Sequence, residues 1–229
     1  YDAGLTGLRC PMPPIEPPLF LEDGPADAPW RLILAHWAGA PMDSPVMTAI
    51  AQAVAQQGIA VSRFEFPYMR TRRLEGGRRP PDRAPKLIAA WRDALTAVAA
   101  NHPAQRLAIG GNSMGGRMAT LLAAEPDAPL QIGAIVKLGY PFHPPGKPDR
   151  LRVDHFPALD AVPILMVQGT RDPFGGASEV PSYRLPARAI LHWVEDGDHD
   201  LKPRKMSGRT HMQALTELAN SISDFFSGL

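Results

Sequence analysis

Residues 106–118 have the sequence Arg-Leu-Ala-Ile-Gly-Gly-Asn-Ser-Met-Gly-Gly-Arg-Met, and this stretch decides the fold. An apolar run that ends at Ile109 leads into Gly-x-Ser-x-Gly, centred on Ser113, and a run typical of a helix follows from Met118 to Ala124. Small residues beside the serine let a strand and a helix pass closely, so that a strained turn exposes the hydroxyl. The stretch therefore predicts a strand, a sharp turn that carries Ser113, and a helix.

Composition limits the remaining possibilities. The chain has 229 residues, of which 45% are hydrophobic and 21% charged, as in soluble globular proteins that bury a sizeable core. Its net charge of +1 favours neither a nucleic-acid nor a membrane partner. The single cysteine, Cys10, excludes an internal disulfide and fits a reducing compartment. We find no basic-then-apolar leader and no apolar run of membrane-spanning length, so the expected location is cytoplasmic.

Strand patterns alternate with helix patterns along the chain after a proline-rich N-terminal arm at residues 1–18. Helices are predicted after the N-cap Ser44, along the stripe Leu87, Trp91, Leu95 and Val98, and at the C-terminus, where Met212, Leu215, Leu218, Ile222 and Phe226 share one face. An arginine-rich loop is predicted from Pro67 to Pro81. Strands are predicted at Leu19–Glu22, Arg31–Ala35, Ile59–Phe66, Arg106–Ile109, Ile132–Leu138, Pro163–Gln168 and Ala189–Val194.

This alternation predicts a single α/β domain over residues 19–229, with a mostly parallel sheet and helices on both faces. The connection from Leu138 to Pro163 is too short for a lid domain, so little or no cap is expected. Ligands bind such sheets beyond the carboxyl ends of the strands. We therefore expect the catalytic residues in the loops that follow the strands.

Three of these loops carry a nucleophile, an acid and a base. Ser113 follows the strand at Ile109, Asp172 follows the strand at Gln168, and His199 follows the strand at Val194. A serine hydroxyl is a poor nucleophile until a histidine takes its proton and a carboxylate fixes the imidazole tautomer. Ser113, Asp172 and His199 are the predicted catalytic residues.

Three further aspartates compete with Asp172 for the role of the acid. Asp196, Asp198 and Asp200 are too close to His199 in sequence to support its ring easily, and we interpret them as solvated loop charges.

The oxyanion hole requires two backbone N–H groups, one after the nucleophile and one from the loop after the first core strand. The first is Met114, and the loop His36-Trp37-Ala38-Gly39-Ala40 offers Ala38, with Trp37 as the second choice. His36 is expected to organise this loop by hydrogen bonds rather than to take part in chemistry.

Four residues are predicted to line the substrate pocket. Trp37 and Asn112 lie beside the oxyanion loop and the nucleophile, and Tyr140 and Phe142 follow a strand on the same edge. Three of them have a structural alternative: Trp37 in the core, and Tyr140 and Phe142 in a rigid proline-rich loop. The arginines between Arg70 and Arg79 either bind an acidic ligand or form a solvated loop, and the solvated loop is favoured.

Together these motifs resemble the α/β-hydrolase superfamily, in a branch close to dienelactone hydrolase. The resemblance rests on His36–Gly39, Ser113–Arg117, Gly169–Gly175 and Gly197–Pro203, and it covers the chain from about Leu19 onward. It implies the superfamily fold, the triad already named, and a serine in place of the cysteine nucleophile of dienelactone hydrolase. Trp37 and Asn112 depart from the pattern, since relatives carry a glycine and a basic residue there.

The sequence thus predicts a hydrolase of small carboxylic esters that works through an acyl-enzyme, without a metal or organic cofactor. The expected partner is a small acyl substrate, and the oligomeric state stays open. A thioesterase, lactonase or amidase with the same triad remains an alternative, as does a non-catalytic interaction module with this fold.

Overall fold

The computed structural model describes residues 19–229, and the predicted arm at residues 1–18 lies outside that range. Within it, seven strands form one sheet in the order β1-β3-β2-β4-β5-β6-β7. Their bounds are β1 Phe20–Asp23, β2 Trp30–Ala35, β3 Ala60–Phe64, β4 Arg106–Asn112, β5 Ile132–Leu138, β6 Ile164–Gly169 and β7 Ala189–Val194.

The sheet is parallel except at one edge. β1 pairs antiparallel with β3, with Phe20 opposite Phe64, and all other pairs of neighbouring strands are parallel. The inner strands are covered on both faces, and every residue of β2 is buried. The predicted mostly parallel sheet is confirmed.

Five α-helices lie on the two faces of this sheet within the described residues. Ser44 caps the first helix, because its Oγ accepts a hydrogen bond from the Met47 N–H at 3.4 Å. Thr210 and Gln213 form a reciprocal capping box at the start of the last helix. The bounds are α1 Pro45–Ala55, α2 Pro67–Glu75, α3 Ala84–Asn101, α4 Met114–Ala123 and α5 His211–Ser227.

One hydrophobic core lies on each face of the sheet. Alternate residues of a strand point to opposite faces, so Ile135 of β5 joins α3 and α4, whereas Val136 joins α1 and α5. Trp91 of α3 is fully buried in the first core, and Leu218 of α5 is fully buried in the second. Helices on both faces are therefore confirmed.

The prediction of a loop from Pro67 to Pro81 is wrong in its first part, because Pro67–Glu75 forms α2. Proline suits the first helical position, and Tyr68 and Met69 bury the inner face. Arg73 joins α2 to the rest of the domain through Asp43 and Glu65, with N···O distances of 2.7 and 2.8 Å.

Met212 departs from the apolar stripe predicted for α5. It is 65% exposed in the first turn of the helix, whereas Leu215, the next member of the stripe, is buried.

The connection between β5 and β6 contains only a short 3₁₀ turn, Phe156–Leu159, so the prediction of little or no cap holds. Among the helices from residue 19 onward, none combines the length and the apolar character needed to cross a bilayer.

Candidate active site

Ser113 occupies a strained turn between β4 and α4. Its backbone has φ 49° and ψ −113°, a region that residues with a Cβ rarely adopt. The Ser113 N–H donates to the carbonyl of Leu138 at 2.9 Å, which ties the turn to the end of β5. This is the geometry that the Gly-x-Ser-x-Gly motif predicts for an exposed serine.

Gly115 is required for the close approach of α4 to the loop after β2. A Cβ at this position would lie 2.5 Å from the carbonyl oxygen of Ala35 and 2.7 Å from that of His36, well inside van der Waals contact. The absence of a side chain therefore lets the start of α4 lie directly against the candidate oxyanion loop.

A chain of hydrogen bonds joins the three predicted catalytic side chains. His199 Nε2 lies 2.8 Å from Ser113 Oγ, and His199 Nδ1 lies 2.9 Å from Asp172 Oδ2. These contacts assign the Nδ1–H tautomer to His199, which donates to the carboxylate while Nε2 accepts from the serine hydroxyl. The structure thus brings together the side chains that the sequence placed after three different strands.

Asp172 is held by neutral donors. Its carboxylate is fully buried; Oδ2 accepts from Gln168 Nε2 at 2.8 Å, and Oδ1 accepts from the Phe174 N–H at 2.8 Å. Gln168 is itself fully buried, and its Oε1 accepts from the Tyr140 N–H at 2.7 Å. Gln168 is not among the residues predicted from the sequence, although a polar residue at the end of a buried apolar strand is a usable signal.

Phe174 is a second residue that sequence analysis missed. Its ring stacks on the imidazole of His199, with centroids 4.1 Å apart and an angle of 29° between the planes. The imidazole is therefore fixed by the Asp172 carboxylate at one edge and by an aromatic ring on one face.

The predicted oxyanion donors are Met114, which precedes Gly115, and Ala38, in the loop whose first residue Gly115 approaches. Met114 is the first residue of α4, where a backbone N–H has no acceptor within the helix. Ala38 is exposed, and its carbonyl accepts a hydrogen bond from Tyr68 Oη at 3.1 Å. Tyr68, on α2, therefore restrains the loop that carries Ala38.

His36 organises this loop, as expected from the sequence. Its Nδ1–H donates to the carbonyl of Trp37 at 2.7 Å, and its Nε2 accepts from the Phe66 N–H at 3.1 Å. Burial lowers the pKa of His36, which keeps the ring neutral and suited to both contacts. The ring thereby joins the candidate oxyanion loop to the residue that precedes α2.

Trp37 is half-buried and packs against the core that contains α1 and α5. Its Cδ1 would lie 3.8 Å from a Cβ at Gly39. Part of the indole thus occupies the core position that was the structural alternative for this residue.

The structure corrects the other three pocket assignments. Tyr140 and Phe142 are 1% and 0% exposed, and their rings pack in the core with Phe156. Tyr140 Oη donates to the Arg152 carbonyl at 2.8 Å, which turns the ring away from the surface. Asn112 is 3% exposed, and its Oδ1 has no hydrogen-bond partner among the described residues. None of the three presents its side chain to an open pocket.

The interpretation of Asp196 as a solvated charge is also wrong. Its carboxylate pairs with Arg204 and Arg171, and the residue is only 7% exposed. Hydrogen bonding to Arg204 is the main cause that lowers the pKa of Asp196 to about 2. Asp198 accepts from the N–H groups of Asp200 and Lys202 and so shapes the turn before and after His199.

A mostly parallel sheet with a serine on a strained strand-to-helix turn, followed by an aspartate and a histidine at the same edge, defines the α/β-hydrolase class. The family model described as an alpha/beta hydrolase domain matches residues 28–227, and the chain belongs to this family. Membership supports a hydrolase in general terms and leaves the substrate open.

Solved structures of similar fold include a dienelactone hydrolase from Anabaena variabilis, with 19% identity, a TM-score of 0.64, and coverage of 91% of this chain and 90% of that one. A serine hydrolase without a lid from Xanthomonas campestris shares 21% identity, with a TM-score of 0.61 and coverage of 94% and 96%. A serine hydrolase homologue from Coxiella burnetii shares 18% identity, with a TM-score of 0.64 and coverage of 88% of both chains. At these identities the likeness concerns the fold alone.

Proposed function

We propose that this protein is a serine hydrolase that cleaves small carboxylic esters through an acyl-enzyme. The observation that carries the proposal is the continuous hydrogen-bond chain from Ser113 Oγ through His199 to Asp172, with distances of 2.8 and 2.9 Å. These distances lie within the range required for proton transfer between a nucleophile and its base.

In acylation, His199 Nε2 takes the proton of the Ser113 hydroxyl while Oγ attacks the ester carbonyl carbon. The imidazolium that forms is stabilised by the buried Asp172 carboxylate, which stays ionised. The tetrahedral oxyanion accepts hydrogen bonds from the N–H groups of Met114 and Ala38. The C–O bond to the leaving group then breaks, and His199 donates its proton to the departing oxygen.

In deacylation, the same histidine removes a proton from a water molecule, and the resulting hydroxide attacks the acyl carbon. The second tetrahedral intermediate collapses when Ser113 Oγ leaves and regains its proton from His199. The products are a carboxylic acid and an alcohol, and the enzyme returns to its first state.

The proposal favours small substrates because the connection between β5 and β6 supplies no lid that would shelter a long apolar chain. A panel of acetyl and butyryl esters, with the matching thioesters and amides, tests which leaving group is preferred.

The direct test is covalent labelling by a fluorophosphonate probe. We expect modification at Ser113 alone, and we expect Ser113→Ala to abolish both labelling and ester hydrolysis, because no other hydroxyl lies in the hydrogen-bond chain. Ser178→Ala, at an exposed position, is the matched control and should change neither. Labelling that survives Ser113→Ala would contradict the assignment, and an unlabelled parent protein would favour a non-catalytic module.

A further inference from the structure

A group of basic side chains beside α4 lacks acidic partners. Arg117 lies on α4, Lys137 on β5, and Arg152 and His155 on the connection that follows β5. In the part of the chain that the structure describes, no carboxylate forms an ion pair with any of these four residues, which we call the basic cluster. Most other buried or half-buried arginines of the domain, such as Arg31, Arg63 and Arg92, do have such a partner.

Lys137 is the innermost member. The residue is 0% exposed, and its Nζ has no hydrogen-bond partner among residues 19–229. The nitrogen lies 4.2 and 4.3 Å from the ring centroids of Tyr140 and Phe156. Burial lowers its pKa well below the ordinary value. An amine without an acceptor is costly in a core, so packing alone gives no reason for a lysine here.

The outer members of the basic cluster are Arg117, Arg152 and His155, and the charge of Arg117 affects the pKa of the other two. Burial, followed by the nearby guanidinium of Arg117, lowers the pKa of Arg152. Burial, followed by Lys137 and Arg117, lowers the pKa of His155 to about 4. His155 is fixed by its Nε2 contact with Thr120 Oγ1 at 2.8 Å. Arg117 Nε is also buried without an acceptor. Arg117 and Arg152 therefore carry positive charge that no carboxylate among the described residues compensates, and the Lys137 Nζ and the Arg117 Nε lie beside it as donors without an acceptor.

The basic cluster lies next to the candidate nucleophile. Arg117 comes four residues after Ser113, and its N–H donates to the Ser113 carbonyl at 2.9 Å in the first turn of α4. Because Ser113 is the N-cap residue of α4, Arg117 lies about one helical turn away from it. Arg117 and Arg152 are both partly exposed, whereas Lys137 closes the inner side of the cluster.

We propose that the basic cluster is a subsite for an anionic oxygen group of the substrate, so that the preferred esters carry a carboxylate or phosphate besides the scissile bond. Arg117 and Arg152 supply paired N–H donors, the geometry that matches such anions. This inference rests on the proposed esterase function, because Ser113 must act on the same molecule.

The test compares pairs of esters of similar size, of which one member carries a carboxylate and the other is neutral. Monomethyl glutarate and methyl pentanoate have acyl chains of equal length and place the charge on the acyl side. The acetate esters of 3-hydroxypropanoate and of 1-butanol place it on the leaving-group side. We expect higher kcat/KM for the anionic member of at least one pair.

Arg117→Gln and Arg152→Gln should lower that advantage about ten- to hundredfold while hydrolysis of the neutral ester is kept, since each removes a charge-assisted hydrogen bond. Inorganic phosphate should compete with the anionic ester if phosphate is the natural group, and acetate if it is a carboxylate.

Arg92→Gln is the matched control, because Arg92 pairs with Glu125 and Asp127 on the surface away from the cluster. It should leave both activities and their ratio unchanged. Equal kcat/KM within each pair, unaltered by Arg117→Gln, would overturn the subsite even if the protein is an esterase.

Calorimetry separates failure of the subsite from failure of the proposed function. Ser113→Ala protein should bind monomethyl glutarate and fail to bind methyl pentanoate, and adding Lys137→Met should weaken that binding. Binding of both esters with equal affinity would contradict the subsite. Absence of ester hydrolysis by the parent protein, with anion binding intact, would overturn the esterase function alone.

Discussion

Two buried aspartates stand at the ends of neighbouring strands, and their partners differ in kind. Asp172, after β6, accepts from the Gln168 amide, a backbone N–H and the His199 ring. Asp196, after β7, is paired with the guanidinium groups of Arg171 and Arg204. A carboxylate with neutral donors keeps its charge available to a histidine, whereas a carboxylate between two arginines is already neutralised. Burial at the same sheet edge therefore does not distinguish the two carboxylates as candidates for the catalytic acid, whereas their partners favour Asp172.

The two turns are also joined to each other. The Arg171 N–H donates to the carbonyl of Gly197 at 2.9 Å, and Thr170 Oγ1 accepts from the Asp196 N–H at 2.9 Å. Through these contacts the turn with Asp172 fixes the turn that carries His199. We therefore assign Asp196 a structural role, in which it holds the turn with His199 in position beside Asp172.

The largest expected effect is on kcat, which should distinguish Asp172 from Asp196. Asp172→Asn should lower kcat by about 10⁴-fold, because an amide favours the wrong imidazole tautomer and cannot stabilise the imidazolium. Asp196→Asn, the matched control, should cost far less turnover. Ester hydrolysis by both variants under saturating substrate provides the comparison. A greater loss in Asp196→Asn would reverse the two roles.

A smaller effect is expected at the amide that supports Asp172. Gln168→Met keeps the volume but removes the donor to a buried carboxylate, an interaction worth about 1.5–3 kcal/mol. We expect kcat to fall about ten- to hundredfold if that energy appears in the transition state. Gln105→Met is the control, because Gln105 donates to Ala28 at the opposite end of the sheet. Unchanged kcat in Gln168→Met would remove Gln168 from the site.

The ion pairs of Asp196 should affect the stability of the protein at acid pH. Its pKa falls from 3.8 to about 2 in the folded protein, so its stabilising contribution is complete above the ordinary value and is lost as the pH falls through about 2. Melting temperatures recorded between about pH 5 and pH 2 should therefore decline more steeply for the parent protein than for Asp196→Asn. Asp200→Asn, at an exposed position, should follow the parent curve. Parallel curves for parent and Asp196→Asn would contradict the ion pairs.

The smallest effect is expected where the two turns meet. Thr170→Val removes the acceptor for the Asp196 N–H and should lower the free energy of unfolding by about 1 kcal/mol. Thr216→Val, on the exposed face of α5, provides the control. Chemical denaturation measures the difference, and kcat should change little in either variant. A large loss of kcat in Thr170→Val would show that the junction positions His199 more tightly than proposed.

Much of the fold was predictable because its strands are short apolar runs. The predicted bounds of Ile132–Leu138 and Ala189–Val194 match β5 and β7. Helix α2 was not predictable in the same way, because its arginines obscure the buried pair Tyr68 and Met69. Periodicity identifies a helix only where its apolar face is wide enough to be seen.

The part of the candidate site that lies in local sequence motifs was predictable. Ser113, Asp172 and His199 each follow a strand and stand beside turn residues, so the sequence alone places them at one edge. Gln168, Phe174 and the burial of Tyr140 depend on which loops meet, and no local pattern encodes those contacts. The aspartate at position 196 was misjudged for the same reason, since its partner Arg204 is defined by the folded turn.

The strained turn at Ser113 depends on strands that are distant from it along the chain, so the candidate nucleophile depends on the assembled sheet. The Ser113 N–H donates to the Leu138 carbonyl at the end of β5, and Gly115 lies close to Ala35 at the end of β2. Both Leu138 and Ala35 are far from the turn along the chain. Such distant contacts form slowly, because the intervening segments must first be ordered. We therefore expect the turn at Ser113 to be complete only when β2, β4 and β5 have paired. Covalent labelling of Ser113 would then require the assembled sheet as well as the serine itself.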